Sequence, residues 1–340
     1  MKNKITILYI GNKLSHHGYT KGLIETLGPQ LEELNFSVIY GGNKYNPISR
    51  LLQMITKIFV NRGNVDYVII DTYSTTAFWY AWICAMFCRI FNICYIPILH
   101  GGDMPIRLQK SRLFCNSIFK YSYKNIAVSN YLKNIFNKYG FSSILIPNSI
   151  NISNYAYKKR ANINPKILWV RSFHKQYNPK MAIDIIFNLK KKYENVTLCM
   201  VGPDKDGSMK DVIKYSKELG VYNQLEITGV LKKSEWLKLS QRFDVFINTT
   251  NVDNTPVSVI EAMALGLPVV STNVGGIPFL VESGVDGLLV ESNDIDSMVS
   301  KIKMLLDDYS LVQNLTTSAR KKASSMDWNS IKNEWIKILS

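Results

Sequence analysis

The 340-residue chain is short of acid, with 26 Asp and Glu against 41 Lys and Arg and a net charge of +15. The shortage is uneven, because residues 1–150 hold 6 of the acids and 16 of the basic residues. That balance points to an anionic partner, whether nucleic acid, acidic lipid or a phosphorylated substrate. A generally basic proteome would give the same excess. Cysteine is scarce as well. Cys84, Cys88, Cys94, Cys115 and Cys199 are odd in number and form no C-x-x-C pair. This speaks against a disulfide framework and fits buried free thiols in a reducing compartment. Long apolar runs are missing. Ala77–Leu99 is broken by Arg89, Asn92 and Pro97, and the unbroken part falls short of the roughly 20 residues a bilayer requires. It reads as a buried helix followed by a buried strand. MKNKITILYIG has a basic flank but no small-x-small cleavage site, so it reads as a first strand rather than a signal peptide. H-E-x-x-H, G-x-G-x-x-G and a Walker loop are absent too, so metal, dinucleotide and ATP readings lack their mechanism.

What is present is alternation. ITILYIG, SVIYGG, YVIID, CYIPILHGG, NIAVS and SILIPNSI are short apolar runs separated by amphipathic stretches. A second series follows: KILWVRS, TLCMVG, LEITG, DVFINTT, PVVST and GLLVE. Strands alternating with helices predict parallel sheets. The chain therefore divides into residues 1–150, a polar linker over 151–165, residues 166–325 and a closing helix over 326–340. That helix begins at Asp327 and carries Trp328, Ile331, Trp335 and either Ile336 or Ile338 on one side, free to pack back on the first domain. The expected fold class is α/β, two Rossmann-like doubly wound domains facing each other across a cleft. In such sheets ligands bind beyond the carboxyl ends of the strands.

The stretch DNTPVSVIEAMALGLPVV, Asp253–Val270, sets one acid inside an apolar run and another at its mouth. Thr255 can cap a helix starting at Pro256 and stopped by Gly266. Val257 and Ser258 would keep free amides at a helix N-terminus suited to phosphate. Glu261, one turn on, needs a donor if it is buried. Sugar hydroxyls are donors, so the two acids could bracket a diphosphate. An ion pair for Glu261 and a plain cap for Asp253 are the bland alternative.

TNVDNTPVSVIEAMALGLPVVSTNVGGIP closely resembles the E-x7-E signature of glycosyltransferase family 4, retaining enzymes of the GT-B fold. HGGD, AVSNYLK, IPNSI, WVRSF, MVGPD, ITG and VESGVDGLLVE follow in the family's order. The resemblance implies that Glu261 holds the nucleotide ribose and Asp253 the hydroxyls of the transferred sugar. Asn254, Thr255, Pro256, Val257 and Ser258 cradle sugar and diphosphate, with Gly229 of ITG beside the donor. Arg171 matches the arginine that neutralises the diphosphate. The family's lysine usually follows five positions later. Here Lys175 stands at plus four and Gln176 at plus five, with Lys180 the other choice. Asp253 replaces the more usual Glu, Asn-Thr-Pro replaces Gly-Phe-Gly, and Phe279 occupies a place often acidic. In the first domain Gly18 resembles the loop glycine facing the diphosphate. His100 matches a histidine near the donor's sugar, with a satisfied strand-end histidine as its alternative.

On this reading Asp253, His100, Arg171 and Lys175 carry the chemistry. The leaving phosphate takes the acceptor proton, and neither a protein nucleophile, a cofactor nor a metal is needed. The donor is a nucleotide sugar and the acceptor a glycan or lipid-linked glycan, as in bacterial surface-polysaccharide assembly in the cytoplasm. Pro47–Arg62 and Arg107–Lys124 mix basic and apolar residues that suit an anionic membrane surface, or simply cover a core. No nucleic-acid module is recognisable. The competing functions are a GT-B nucleotide-sugar epimerase, which would consume donor without acceptor, and a noncatalytic nucleotide-sugar binder.

Overall fold

All twelve apolar runs form strands in the computed structural model, which describes residues 4–19, 21–160 and 162–340. The chain divides into two units. The first runs to Pro147 and takes in Lys332–Ser340; the second is Asn148–Ile331. The first sheet holds β1 (Thr6–Ile10), β2 (Ser37–Gly41), β3 (Tyr67–Thr72), β4 (Cys94–Leu99), β5 (Ile126–Ala127) and β6 (Ile144–Leu145). Their order is β2-β1-β3-β4-β5-β6 and every pairing is parallel. The second sheet holds β7 (Lys166–Val170), β8 (Thr197–Val201), β9 (Leu225–Gly229), β10 (Val245–Asn248), β11 (Val269–Thr272) and β12 (Leu288–Val290). Read from the far edge, its order is β9-β8-β7-β10-β11-β12, again all parallel.

Strands covered on both faces are apolar along their whole length rather than alternating. Ile7 to Ile10 and Ile167 to Trp169 are at most 1% exposed. In the second unit the apolar side chains fall into two clusters. One is centred on Trp169 and Phe173, the other on Phe246 and the helix Val257–Ala264.

The stretch read as a linker is polar in sequence but packs closely on the second unit. Tyr155 is 4% exposed and Arg160 2%. Ile150 and Asp327 form a parallel bridge there. Asp327 Oδ1 accepts from Asn329 N at 2.9 Å at the start of the helix Trp328–Leu339. Ile338 is buried and Ile336 exposed, which decides between the two. The stretch read as a buried helix and strand is the helix Phe78–Ile90 followed by β4; the strand is buried beyond Cys94, but the helix buries one face only and leaves Trp79 and Ile90 exposed. Among the described residues no helix is long and apolar enough to cross a membrane.

Candidate functional site

In each sheet the strand order reverses at one place, and the crevice beyond the strand ends there is where open α/β sheets bind ligands. In the second sheet the reversal lies between β7 and β10. Arg171 follows β7, and Thr249 to Pro256 follow β10. Strand ends are tied together at this point. Arg171 N donates to Val201 O at 3.0 Å and Gly202 N to Gly229 O at 2.9 Å. A cavity of about 390 Å³ also exists in this unit. It is lined by Lys166, Thr197 and Leu225, the starts of β7, β8 and β9, so it lies on the opposite side from the expected crevice.

Arg171 and Asp253 meet as an ion pair, each side chain about one-sixth exposed. The guanidinium also lies over the Tyr177 ring, 4.4 Å from its centroid. Burial pulls the Arg171 pKa below its ordinary value while Tyr177 opposes that pull. Arginine nevertheless stays charged in proteins. The loop bearing Asp253 is held from behind by glycine. Gly276 N donates to Asp253 O at 3.0 Å. Gly275 has a φ of +55°, and a Cβ there would lie 2.1 Å from the same carbonyl. Only glycine permits that approach.

The helix expected from Pro256 starts at Val257, and its N-cap is Pro256 with φ −67° and ψ 117°. Thr255 is therefore not the cap. The extended ψ of Pro256 delays the helix by one residue and moves the threonine out of reach of the first turn. Val259 and Ile260 N–H turn back to Pro256 O at 3.1 and 3.4 Å, which leaves Val257 and Ser258 N–H at the open end. Thr255 Oγ1 and Ser258 Oγ are buried with no hydrogen-bond partner among the described residues. Unsatisfied buried hydroxyls are rare and suit a polar ligand.

Two arginines hold the other end of this helix. Arg160 Nη1 donates to Leu265 O at 3.2 Å and Gly266 O at 2.6 Å. Arg320 Nη1 donates to Tyr155 O at 2.8 Å and also to Ala264 O. Cations at the C-terminus match the helix dipole, which fixes the axis whose N-terminus faces the crevice. Arg320 also places Tyr155 beside the helix.

Glu261 is 7% exposed. Tyr155 donates its hydroxyl to Glu261 Oε1 at 2.8 Å, and Lys233 forms an ion pair with the same oxygen. The Lys233 ammonium also lies 5.0 Å from the Tyr155 ring centre and 4.9 Å from that of Trp236. Burial pulls Lys233 down to about 7. The touching carboxylate opposes this, and half the side chain remains in water. Neither Tyr155 nor Lys233 was legible as a site residue, because each sits in a polar stretch far from Glu261 in sequence.

Lys175 is exposed in a short 3-10 turn, and its amide donates to Asp206 Oδ2 at 2.9 Å. Lys180 lies over the Tyr215 ring at 3.9 Å. Gln176 ties the two loops of the crevice together, since its Nε2 donates to Val252 O at 3.0 Å and its carbonyl accepts from Asn251 N at 2.8 Å. Gly229 ends β9, and Asn254 N donates to Asp253 Oδ1 at 2.9 Å.

In the first sheet the order reverses between β1 and β3. Asp71 on β3 accepts the Tyr9 hydroxyl at 3.0 Å, and His100 Nε2 lies 3.3 Å from the same oxygen. The Tyr73 ring stacks on His100 at 4.8 Å. His100 is thus a buried, partnered histidine at the end of β4. Gly18 caps the 3-10 turn Ser15–His17. Among the described residues no group of three or more His, Cys, Asp or Glu could hold a metal ion.

The family model described as Glycosyl transferases group 1 matches residues 156–322. An uncharacterised glycosyltransferase of Methanocaldococcus jannaschii is 23% identical over 94% of this chain and 92% of its own length. The UDP-Gal:alpha-D-GlcNAc-diphosphoundecaprenol alpha-1,3-galactosyltransferase of Escherichia coli is 27% identical over 30% of this chain and 27% of that protein. The crystal structure of Anabaena HepE in complex with UDP-glucose resembles this one with a TM-score of 0.78 at 19% identity, covering 98% of this chain and 99% of that one. These likenesses support a glycosyltransferase of GT-B architecture.

Proposed function

We propose that the chain is a family 4 glycosyltransferase that moves a sugar from a nucleoside-diphosphate sugar to a glycan or lipid-linked glycan, with retention at the anomeric carbon. The observation that carries this reading is the second switch point. There Arg171 pairs with Asp253, and the open amides of Val257 and Ser258 and the orphan hydroxyls of Thr255 and Ser258 stand at the start of the helix that carries Glu261. A diphosphate takes the arginine and the amides, and two sugars take the acids. The HepE complex holds a nucleotide sugar, which supports a donor of that class here.

The bond from the anomeric carbon to the β-phosphate oxygen breaks as the acceptor oxygen attacks from the same face. The leaving phosphate takes the acceptor's proton. Negative charge grows on the diphosphate, where Arg171, Lys175 and the helix start stabilise it, usually the largest single contribution in such reactions. Asp253 orients the sugar. With this charge in place the reaction needs neither a protein nucleophile nor a metal, and EDTA should leave the rate unchanged. The first unit binds the acceptor. The E. coli relative acts on a diphosphoundecaprenol-linked sugar, which supports a lipid-linked acceptor and a place in surface-polysaccharide assembly. The five free cysteines suit work in the cytoplasm.

The test is a thermal-shift screen of UDP-, GDP- and ADP-sugars, since a ligand that binds only the native state raises the melting temperature. One donor class should raise it, and that donor should then be consumed only with acceptor, giving a product of unchanged anomeric configuration by NMR. No shift with any nucleotide sugar refutes the reading. Consumption without acceptor would indicate an epimerase instead.

A further inference from the structure

Sugar transfer does not explain one outer face of the first unit. Three helices lie side by side there, Pro47–Asn61, Phe78–Ile90 and Arg112–Phe119, with the middle one packed against both others. The middle helix turns Phe78, Ala81, Cys84, Ala85 and Cys88 inward. Its opposite stripe, at helical spacing, is Trp79, Trp82, Ile83, Met86, Phe87 and Ile90, each partly or fully exposed. A surface helix of a globular domain normally carries polar residues on that stripe.

The neighbouring helices continue the apolar face. Leu113 is 81% exposed, Ile90 68% and Leu52 58%. Rings join across the helices: Phe114 lies 5.0 Å from Trp79 and 5.1 Å from Trp82, and Phe59 lies 5.8 Å from Phe91. Exposed contiguous apolar surface of this kind marks an interaction site.

The charge around the face has one sign. None of the three helices contains Asp or Glu, and residues 104–150 hold seven Lys or Arg and no acid. Guanidinium groups lie over aromatic rings at the edge of the face: that of Arg62 is 4.3 Å from the Phe59 ring centre and that of Arg89 4.1 Å from that of Tyr121. The apolar face is thus bordered directly by positive charge held on its own rings. A second copy would set two basic, acid-free faces against each other. A nucleic acid would have to bury Leu113, Ile90 and Leu52 beneath phosphates. A bilayer with anionic headgroups accepts both the apolar centre and the basic surround.

We propose that this three-helix face docks the protein on an anionic lipid bilayer. Attachment is superficial, since no helix among the described residues is long and apolar enough to cross. The face shares no residue with the sugar-transfer crevice of the second unit, so either assignment can fail without the other.

The test is co-sedimentation of the full chain, without donor, with phosphatidylcholine vesicles lacking or containing phosphatidylglycerol. The wild type should pellet with the anionic vesicles and stay in solution with the neutral ones. Ile90→Glu with Leu113→Glu, both at exposed positions, should cut partitioning at least tenfold with unchanged circular dichroism. Arg112→Ala and Lys120→Ala should each cut it roughly fivefold, the usual effect of one basic residue at such a surface. Failure to pellet with anionic vesicles, or equal pelleting of the Glu variant, overturns the proposal. It is also overturned if the wild type is a dimer that the Glu variant dissociates, or if the same variant loses DNA binding while vesicle binding is unaltered.

Discussion

The Tyr155 hydroxyl and the Lys233 ammonium converge on one oxygen, Glu261 Oε1. A carboxylate buried in an apolar helix is costly unless it is partnered, and these two donors are its partners in the free protein. A ribose hydroxyl binding Glu261 must share that oxygen with them or use the other.

Lys233→Met should therefore destabilise the free protein by about 1–3 kcal/mol, the cost of leaving a buried polar group short of a donor. In a Glu261→Gln background the same change should cost much less. The double-mutant cycle, measured by urea unfolding, isolates the pair. An equal loss in both backgrounds would show that Lys233 acts only by covering the Tyr155 and Trp236 rings.

Arg171→Ala should lower turnover about 10²–10³-fold, the range for removing one preorganised donor from developing charge. Arg171→Lys should not rescue it, because an ammonium cannot reproduce the planar fork that faces both Asp253 and a diphosphate. Adding Asp253→Ala to Arg171→Ala should cost little more, since each depends on the other. Initial rates at saturating donor, with circular dichroism to verify folding, decide the matter. Near-normal turnover in Arg171→Ala would remove the arginine from the reaction.

The strands and their parallel pairing were legible because period and type of residue suffice for them. Parallel strands buried on both faces are apolar throughout, and β1 and β7 show this plainly. The spacing of Asp253, Pro256 and Glu261 was also readable, being local in sequence. What could not be read was set by contacts distant in sequence. Tyr155 is 106 residues from Glu261, and its stretch lacks any period. Arg160 looks like one more charge in a polar tract, yet it holds helix carbonyls 105 and 106 residues away. Residue type favours Thr255 as a cap, but Pro256 has an extended ψ of 117° and takes the cap position itself, in a loop whose Asp253 and Asn254 carbonyls lie against Gly275 and Gly276.

Gly275→Ala should disturb the site without touching a ligand. The added Cβ would collide with Asp253 O, and the left-handed backbone would cost about 1–3 kcal/mol for a non-glycine residue. The melting temperature should fall, and donor affinity should fall further than it does for a surface variant of equal stability such as a helix-cap change at Asp294. If affinity is retained at reduced stability, the glycine serves the fold alone.

Thiol labelling should be selective. Burial pushes Cys88, Cys115 and Cys199 up to about 12, so their reactive thiolate is scarce at pH 8. Cys84 is buried as well, while Cys94, at the start of β4, is exposed. Iodoacetamide at pH 8 should add one label to the native chain, at Cys94, and five after denaturation. Native labels at Cys84 or Cys88 on mass spectrometry would mean that the helix Phe78–Ile90 opens.

The same thiols give stability a pH dependence with a definite sign. Their folded pKa values lie above the roughly 8.5 of an unfolded cysteine, so the folded state holds protons that the unfolded state releases. Stability then falls as pH rises. The contribution is complete below about pH 8.5 and is lost between there and about 12. Melting temperature should decline from pH 8.5 to 10, and Cys115→Ala with Cys199→Ala should flatten that decline while lowering the value at pH 7 through the cavities they leave. An equally steep decline in the variant would assign the alkaline loss to other groups, of which the buried Tyr9 and Tyr73, both raised by burial and by Asp71, come first.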